Sequence, residues 1–382
     1  MNFSSTITFI RELYNQANGN IYLHEPRFVG NERKYVLDAI DSTFVSSVGQ
    51  YVNQFEAMMC SITGAKYAIA CVNGTAALHM SLILAGVCKN EIVLTQAVSF
   101  IATCNAISYI GAQPLFIDID SDTLGLSPTS LENYLKEHAY TQGGSCYHKT
   151  TNQKISACVP MHTFGHPARI DAIQLICNAY HIPLIEDAAE SIGSYYKGKH
   201  TGTFGLLGAF SFNGNKTVTS GGGGCIITND EKVAQLAKHL TTQSKIPHRW
   251  EFAHDHIGYN YRMPNLNAAM ACAQLEQLPM YITSKREIAR NYQAHFQGTH
   301  IHFCSEPVHS SSNYWLNAIL LTSHTEQLEF LQYSNDNGVM TRPIWKTMDK
   351  LTMFKDCMKA DLTNSNYIEE RLVNLPSSVI VP

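Results

Sequence analysis

Between Lys66 and Asp187, uninterrupted apolar runs alternate with segments of helical spacing, and this constrains the fold more than any other feature of the sequence. Residues 67–72, 91–95, 114–118, 155–160 and 182–186 read as strands. Residues 74–85, 100–110 and 170–180 read as helices. Ser127-Pro128 opens a further helix, as an N-cap followed by proline at the first helical position. Such a succession predicts a mostly parallel sheet wrapped by helices. Apolar runs without polar interruption fit strands covered on both faces.

Past Gly205 the pattern changes. Residues 207–212 and 225–228 read as two more strands, joined by a segment that holds Lys216 and the glycine run 221–224. A helix over 230–240 follows, then a polar loop over 241–256 rich in His and Lys. A longer helix over 265–278 ends near Pro279 and opens a C-terminal part of weaker periodicity, while Gly143-Gly144 reads as a surface loop. At 382 residues the chain is long for one compact unit. The expected organisation is a large α/β domain over 26–255 and a smaller C-terminal α/β domain over 256–382, the latter joined by the N-terminal segment 1–25.

The near balance of charge, a net −4, offers no basic face for nucleic acid and no polybasic membrane anchor. The first residues lack the basic start and apolar core of a signal peptide, and no stretch approaches the ~20 apolar residues that span a bilayer. The cysteines, eleven in number, are scattered singly without C-x-x-C spacing, so neither a zinc site nor a disulfide framework is expected. A cytoplasmic protein without nucleic-acid or membrane partners fits these features. His162 and His166 have i,i+4 spacing, but Gly165 between them and Pro167 after them place the pair on a loop, and no metal site is expected there.

In an open α/β sheet, ligands sit beyond the carboxyl ends of the strands. After the first strand, Asn73-Gly-Thr-Ala-Ala77 opens a helix whose free amides and positive end favour a phosphate, or is simply capped by Asn73. Phe100 after the next strand is a core residue or a ring lying against an aromatic cofactor. His162 reaches a substrate or satisfies a carbonyl. In Glu186-Asp-Ala-Ala-Glu190, consecutive acids could hold magnesium, form a solvated turn or protonate a pyridine. Lys216 has small or apolar neighbours, and a buried amine has a lowered pKa and becomes nucleophilic. Ser211 offers a hydroxyl nearby, and the glycine run 221–224 permits close backbone approach. Phosphate cradle, stacking ring, acid and amine, in this order on successive strand ends, match what a pyridoxal phosphate (PLP) enzyme needs: a lysine for the Schiff base and a carboxylate for the pyridine nitrogen.

Together with Phe210-Ser-Phe-Asn-Gly-Asn-Lys216 and Gly258-Tyr-Asn-Tyr-Arg262, these segments resemble the DegT/DnrJ/EryC1/StrS family of sugar aminotransferases, from Pro26 through at least Glu276. The resemblance implies the aspartate-aminotransferase fold (fold type I), with Lys216 as the Schiff-base lysine and Asp187 as partner of the ring nitrogen. It implies that Gly74, Thr75 and Ser211 bind the cofactor phosphate, that Phe100 stacks on the ring and that Glu190 lies near its phenolic oxygen. Asn260 matches a position that reaches the phosphate of the neighbouring subunit, which implies a homodimer with shared active sites. The implied acceptor is a nucleotide-linked 4-keto-6-deoxy sugar and the implied donor glutamate. His162, His248, Arg249 and Arg262 are then candidates for sugar or diphosphate contacts, guanidinium groups being well suited to the latter.

Within the family, Phe9-Ile-Arg-Glu-Leu-Tyr14, Phe44-Val-Ser-Ser-Val-Gly49 and Pro247-His-Arg-Trp250 resemble the branch acting in legionaminic acid biosynthesis. Two departures stand out: glycines 221–224 fill a run where many relatives carry an acid, and Phe44 stands where many carry tryptophan. A PLP-dependent sugar dehydratase is the nearest alternative, but relatives with that chemistry replace the lysine by histidine. No G-x-G-x-x-G follows the first strand, which argues against a dinucleotide oxidoreductase. A non-catalytic protein that kept the fold would be expected to have lost members of the cofactor set.

Overall fold

The computed structural model describes residues 3–381. Three helices precede the sheet: α1 (Ser4–Leu13), α2 (Glu32–Asp41) and α3 (Gln50–Thr63). The alternating region then runs β1 (Tyr67–Cys71), α4 (Gly74–Leu84), β2 (Ile92–Gln96), α5 (Ile101–Tyr109), β3 (Gln113–Ile117) and α6 (Pro128–His138). It continues through β4 (Lys154–Val159), α7 (Ile170–Ala179), β5 (Ile185–Asp187), β6 (Leu207–Ser211), β7 (Gly224–Thr228) and α8 (Glu231–Thr241). Ser127 caps α6 as expected, its side chain accepting from the Ser130 amide.

Hydrogen bonding orders the strands β3-β2-β4-β5-β6-β7-β1. β2 pairs in parallel with β3 and β4, and β5 in parallel with β6. Parallel bridges at Cys158–Leu184 and Met161–Asp187 carry the sheet from β4 to β5. Of these seven strands only β7 runs against the rest, antiparallel to both β6 and β1. Residues 212–223 join β6 to β7 without a crossover helix, so the chain returns antiparallel. Every residue of β2 is buried, as a strand covered on both faces must be.

Two elements differ from the sequence expectation. Gly143 and Gly144 are the tip of a hairpin, pairing Ala139–Gln142 with Ser145–His148. Both have positive φ, 57° and 73°, as a two-residue turn of this hand requires. The helix expected to stop near Pro279 is instead two: α9 (Asn265–Glu276) breaks at Gln277, and α10 (Leu278–Phe296) carries Pro279 in its first turn. Proline lacks only an N–H that is unpaired there in any helix, so it starts α10 rather than ending α9.

α9 shares a core with α3 and the sheet: Phe55, Met59, Phe210, Ala268 and Cys272 are all buried in one cluster. The C-terminal part holds a four-stranded antiparallel sheet ordered His302–Phe303, Asn317–Leu320, Leu372–Leu375 and Arg342–Pro343, with helices α11 (His324–Asp336) and α12 (Thr363–Glu369). α1 packs into this part, Phe3 meeting Phe330 edge-on at 5.1 Å. No helix among the described residues is long and apolar enough to cross a membrane.

Candidate active site

The carboxyl ends of β1, β2, β5 and β6 meet at a cavity of ≈320 Å³, bounded on its far side by Trp315 and Trp345. At one end lies the start of α4. Asn73 caps it, its side chain accepting from the Ala76 amide at 2.8 Å, and Gly74 and Thr75 line the cavity. β6 comes so close that a Cβ on Gly74 would sit 2.7 Å from the Ser211 Cβ. The resulting combination of first-turn amides with hydroxyls of Thr75 and Ser211 suits a phosphate dianion. β7 approaches closely too: a Cβ on Gly224 would fall 2.2 Å from the Asn73 carbonyl oxygen. At Gly74 and Gly224, then, glycine is needed for proximity.

Glu186 and Asp187 end β5 and point to opposite sides of it. Glu186 faces the interior, where its oxygens accept from the amides of Gly202, Phe204 and Gly205 at 2.6–2.8 Å and from His162 Nε2 at 3.0 Å. Asp187 lines the cavity, its Oδ2 accepting from the Thr103 hydroxyl at 2.6 Å and its Oδ1 from the Ala189 amide at 3.1 Å. Burial pushes the Asp187 carboxyl above the ordinary carboxylate range, while the Thr103 hydroxyl, the Ala189 amide, Lys216 and His162 draw it down. A buried carboxyl so placed suits a cationic ring N–H. The two acids do not converge on one point, so they form no magnesium site.

Lys216 projects into the same cavity, largely buried. Its Nζ lies 3.2 Å from Glu190 Oε1 and 4.0 Å from the centre of the Trp315 ring. The Trp315 indole N–H donates to the Asn215 carbonyl at 2.7 Å, which fixes the backbone beside the lysine. Glu190 Oε2 accepts from the Phe164 amide at 2.9 Å, and burial pushes its carboxyl up to about 7 against the pull of Lys216. Phe100 is half-exposed at the start of α5, its ring 6.0 Å from that of Trp345, so it forms a wall of the cavity and not part of the core.

One chain therefore brings together Gly74, Thr75, Phe100, Asp187, Glu190, Ser211 and Lys216. His162 is a correction: it is fully buried, Nε2 held by Glu186 and Nδ1 accepting from the Ala168 amide at 3.1 Å, so no ring nitrogen faces the cavity. His248, Arg249, Asn260 and Arg262 also stand off the cavity of their own chain. His248 and Arg249 belong to an exposed loop, and Arg262 reaches Asn260 Oδ1 and Gln243 Oε1, each at 3.2 Å. Among the described residues, His239, Asp255 and His256 are grouped closely enough to hold a metal, and none of them lines the cavity. Sequence reasoning missed Thr103, Trp315 and Trp345. The scarcity of tryptophan, three in the chain, was the available signal for the last two.

Comparison with known proteins gives the family. The model of the DegT/DnrJ/EryC1/StrS aminotransferase family matches residues 26–381. The chain is 37% identical over 337 residues to EpsN of Bacillus subtilis (strain 168), provisionally named a pyridoxal phosphate-dependent aminotransferase, covering 87% of this chain and 84% of that protein. It is 36% identical to the GDP-perosamine synthase of Escherichia coli O157:H7, covering 88% and 87% of the two chains. Among solved structures, the aminotransferase TlmJ from Streptoalloteichus hindustanus matches with a TM-score of 0.85 at 24% identity over 94% of both chains, a likeness of fold. That fold is type I, the aspartate-aminotransferase architecture. With the family model spanning nearly the whole chain and relatives this similar along most of their length, the chain belongs to the DegT/DnrJ/EryC1/StrS aminotransferase family.

Proposed function

We propose that this aminotransferase moves an amino group from glutamate to C4 of a nucleotide-linked 4-keto-6-deoxy sugar, with Lys216 as the covalent lysine. The cofactor is pyridoxal phosphate. When bound, it supplies an electron sink for the charge left at the donor's α-carbon. The observation that carries the reading is the meeting in one buried cavity of the Lys216 amine, the Asp187 carboxyl and the open start of α4. The amides of Gly74 and Thr75 with the Ser211 hydroxyl would hold the phosphate, Asp187 would pair with the ring nitrogen, and Phe100 would stack against the ring. The Lys216 amine would take the proton from the donor's α-carbon. The indole of Trp315 and the rings of Phe100 and Trp345 restrict water around that amine.

Large apolar side chains exposed at Phe44, Val48, Trp250, Phe252 and Ile257 support a second copy of the chain as partner, because a monomer rarely leaves so much apolar surface wet. In such a homodimer Asn260 reaches the partner's cofactor phosphate, and His248, Arg249 and Arg262 serve the partner's sugar site. The free cysteines fit a cytoplasmic setting. The GDP-perosamine synthase relatives support a GDP-linked acceptor, whereas residues 9–14, 44–49 and 247–250 support the legionaminic branch. Lys216 itself speaks against the dehydratase alternative, and the complete cofactor set against a non-catalytic protein.

The test is borohydride reduction in the presence of pyridoxal phosphate followed by peptide mass spectrometry. Attachment to Lys216 is expected, and attachment to another lysine overturns the reading. Incubation with glutamate and a panel of GDP-, UDP- and CMP-linked 4-keto sugars then identifies the acceptor by product mass.

A further inference from the structure

Glu186 and Glu190, four residues apart, are both buried carboxyl groups, yet they are held differently. Glu186 is saturated: three backbone amides and one imidazole donate to it. Among the described residues Glu190 has one backbone donor, the Phe164 amide on Oε2, and its Oε1 meets the Lys216 amine at 3.2 Å. A carboxyl group there for scaffolding would be bonded like Glu186.

The backbone goes to some length to aim Glu190. Phe164, the residue that donates to it, sits in the left-handed region at φ 56°, ψ 17°, a strained place for a bulky side chain. Gly165 follows at φ 90°, where a Cβ would meet Asn313 Oδ1 at 1.8 Å. The Asn313 amide in turn donates to the carbonyls of Glu190 and Ile192, each at 2.9 Å. Strain of this kind persists where the surroundings over-determine it, and here it presents a carboxyl oxygen to an amine.

Charge decides what the pair does. Asp187, with the Thr103 hydroxyl and Ala189 amide on its two oxygens, faces the same cavity, and it adds to the burial that pushes the Glu190 carboxyl upward. Moving one proton from the Lys216 ammonium to the Glu190 carboxylate turns a buried ion pair into a neutral amine and a neutral acid. No net charge changes and nothing is oxidised. A site shielded from water favours that exchange, because desolvation penalises both charged forms.

We infer that Glu190 is the acid–base partner of Lys216: its carboxylate takes the proton that the amine must shed to become a nucleophile, and returns it when the amine is protonated again. The inference rests on the function proposed for the cavity. It distinguishes Glu190 from a static counter-ion, which would hold the lysine charged and unreactive.

The test uses the full chain without cofactor. Trace acetylation with acetic anhydride, resolved for Lys216 by mass spectrometry and scaled to a free amine, reads the fraction of neutral amine as a function of pH. A shared proton gives a constant fraction between the two apparent pKa values of the pair, because the neutral pair and the ion pair carry the same number of protons. A pH-independent plateau is therefore expected in the parent. In Glu190→Gln, which keeps an acceptor for Phe164, the rate should instead change about tenfold per pH unit through the same range. Glu190→Asp, still an acid, should keep a plateau at a lower rate. A parent profile that climbs in parallel with Glu190→Gln would overturn the inference. Borohydride reduction with pyridoxal phosphate, run on the same preparations, separates the two claims. Attachment at Lys216 with no plateau overturns the acid–base role alone; attachment elsewhere with the plateau intact overturns the function proposed for the cavity and the pair's part in it.

Discussion

Gly74 and Ser211 lie so close that a single methyl group on Gly74 would come within 2.7 Å of the serine side chain. The first turn of α4 and the end of β6 are thus held at a spacing that two hydroxyl-bearing residues and a row of amides can share around one phosphate. Gly74→Ala should fold, since its backbone is not in the left-handed region, but should push Ser211 aside. The affinity for pyridoxal phosphate is expected to fall at least tenfold, about 1.4 kcal/mol. An absorbance titration of the cofactor-free variant checks this, and an unchanged dissociation constant would remove Ser211 and α4 from the phosphate site.

His162 donates to Glu186 in the interior. His162→Ala should therefore lower stability by about 2–4 kcal/mol, by leaving a buried carboxylate short of a donor and a cavity beside it. The KM for the sugar nucleotide should stay within a factor of about two of the parent, a change below ~0.4 kcal/mol. Urea unfolding and steady-state kinetics on one preparation distinguish this from a substrate contact, which would show the reverse pattern.

Glu190 makes stability depend on pH in a definite direction. Its carboxyl is raised to about 7 in the folded chain, above the ~4.3 of an unfolded glutamate. Between those values the folded state binds more protons than the unfolded one, so stability falls as pH rises through that window and levels off above it. The loss from this group is on the order of 3 kcal/mol. Cofactor-free parent and Glu190→Gln, compared by urea unfolding at pH 5 and pH 8, should differ in this slope, with the variant flatter. Equal slopes would place the Glu190 titration elsewhere.

Val48 and Phe252 are more than two-thirds exposed in the single chain. In the proposed homodimer with shared sites they would belong to the buried face, and Val48→Asp combined with Phe252→Asp should dissociate it. Analytical ultracentrifugation should then show a monomer with activity at least tenfold lower, because Asn260 would lose the contact proposed with the partner's site. A double variant that remains dimeric and active would move the interface to another surface.

The sheet was legible in the sequence because buried parallel strands have no polar positions to blur them: residues 91–95 and 155–160 predict β2 and β4 closely. The strand-end residues Lys216, Asp187 and Gly74 could be found for the same reason. The second wall of the cavity was not. Trp315 lies in an irregular stretch between the two-residue strand Ser310–Ser311 and Asn317–Leu320, and Trp345 lies just past the two-residue strand Arg342–Pro343, so neither has a periodic context that would bring it to Lys216 across such sequence distance. His162 was placed at the correct strand end, but only the fold shows which way the chain turns beyond it. Pro279 misled because the same residue that ends one helix is well suited to begin another.

The two neighbouring acids that end β5 have a consequence for how the site is kept true. A slip of one residue along that strand would exchange them, sending Asp187 into the interior and Glu186 into the cavity. The amides of Gly202, Phe204 and Gly205 and the ring of His162 accept only one of these settings, so they serve as an index pin for the whole edge. The side chain that does no chemistry fixes the address of the one that does.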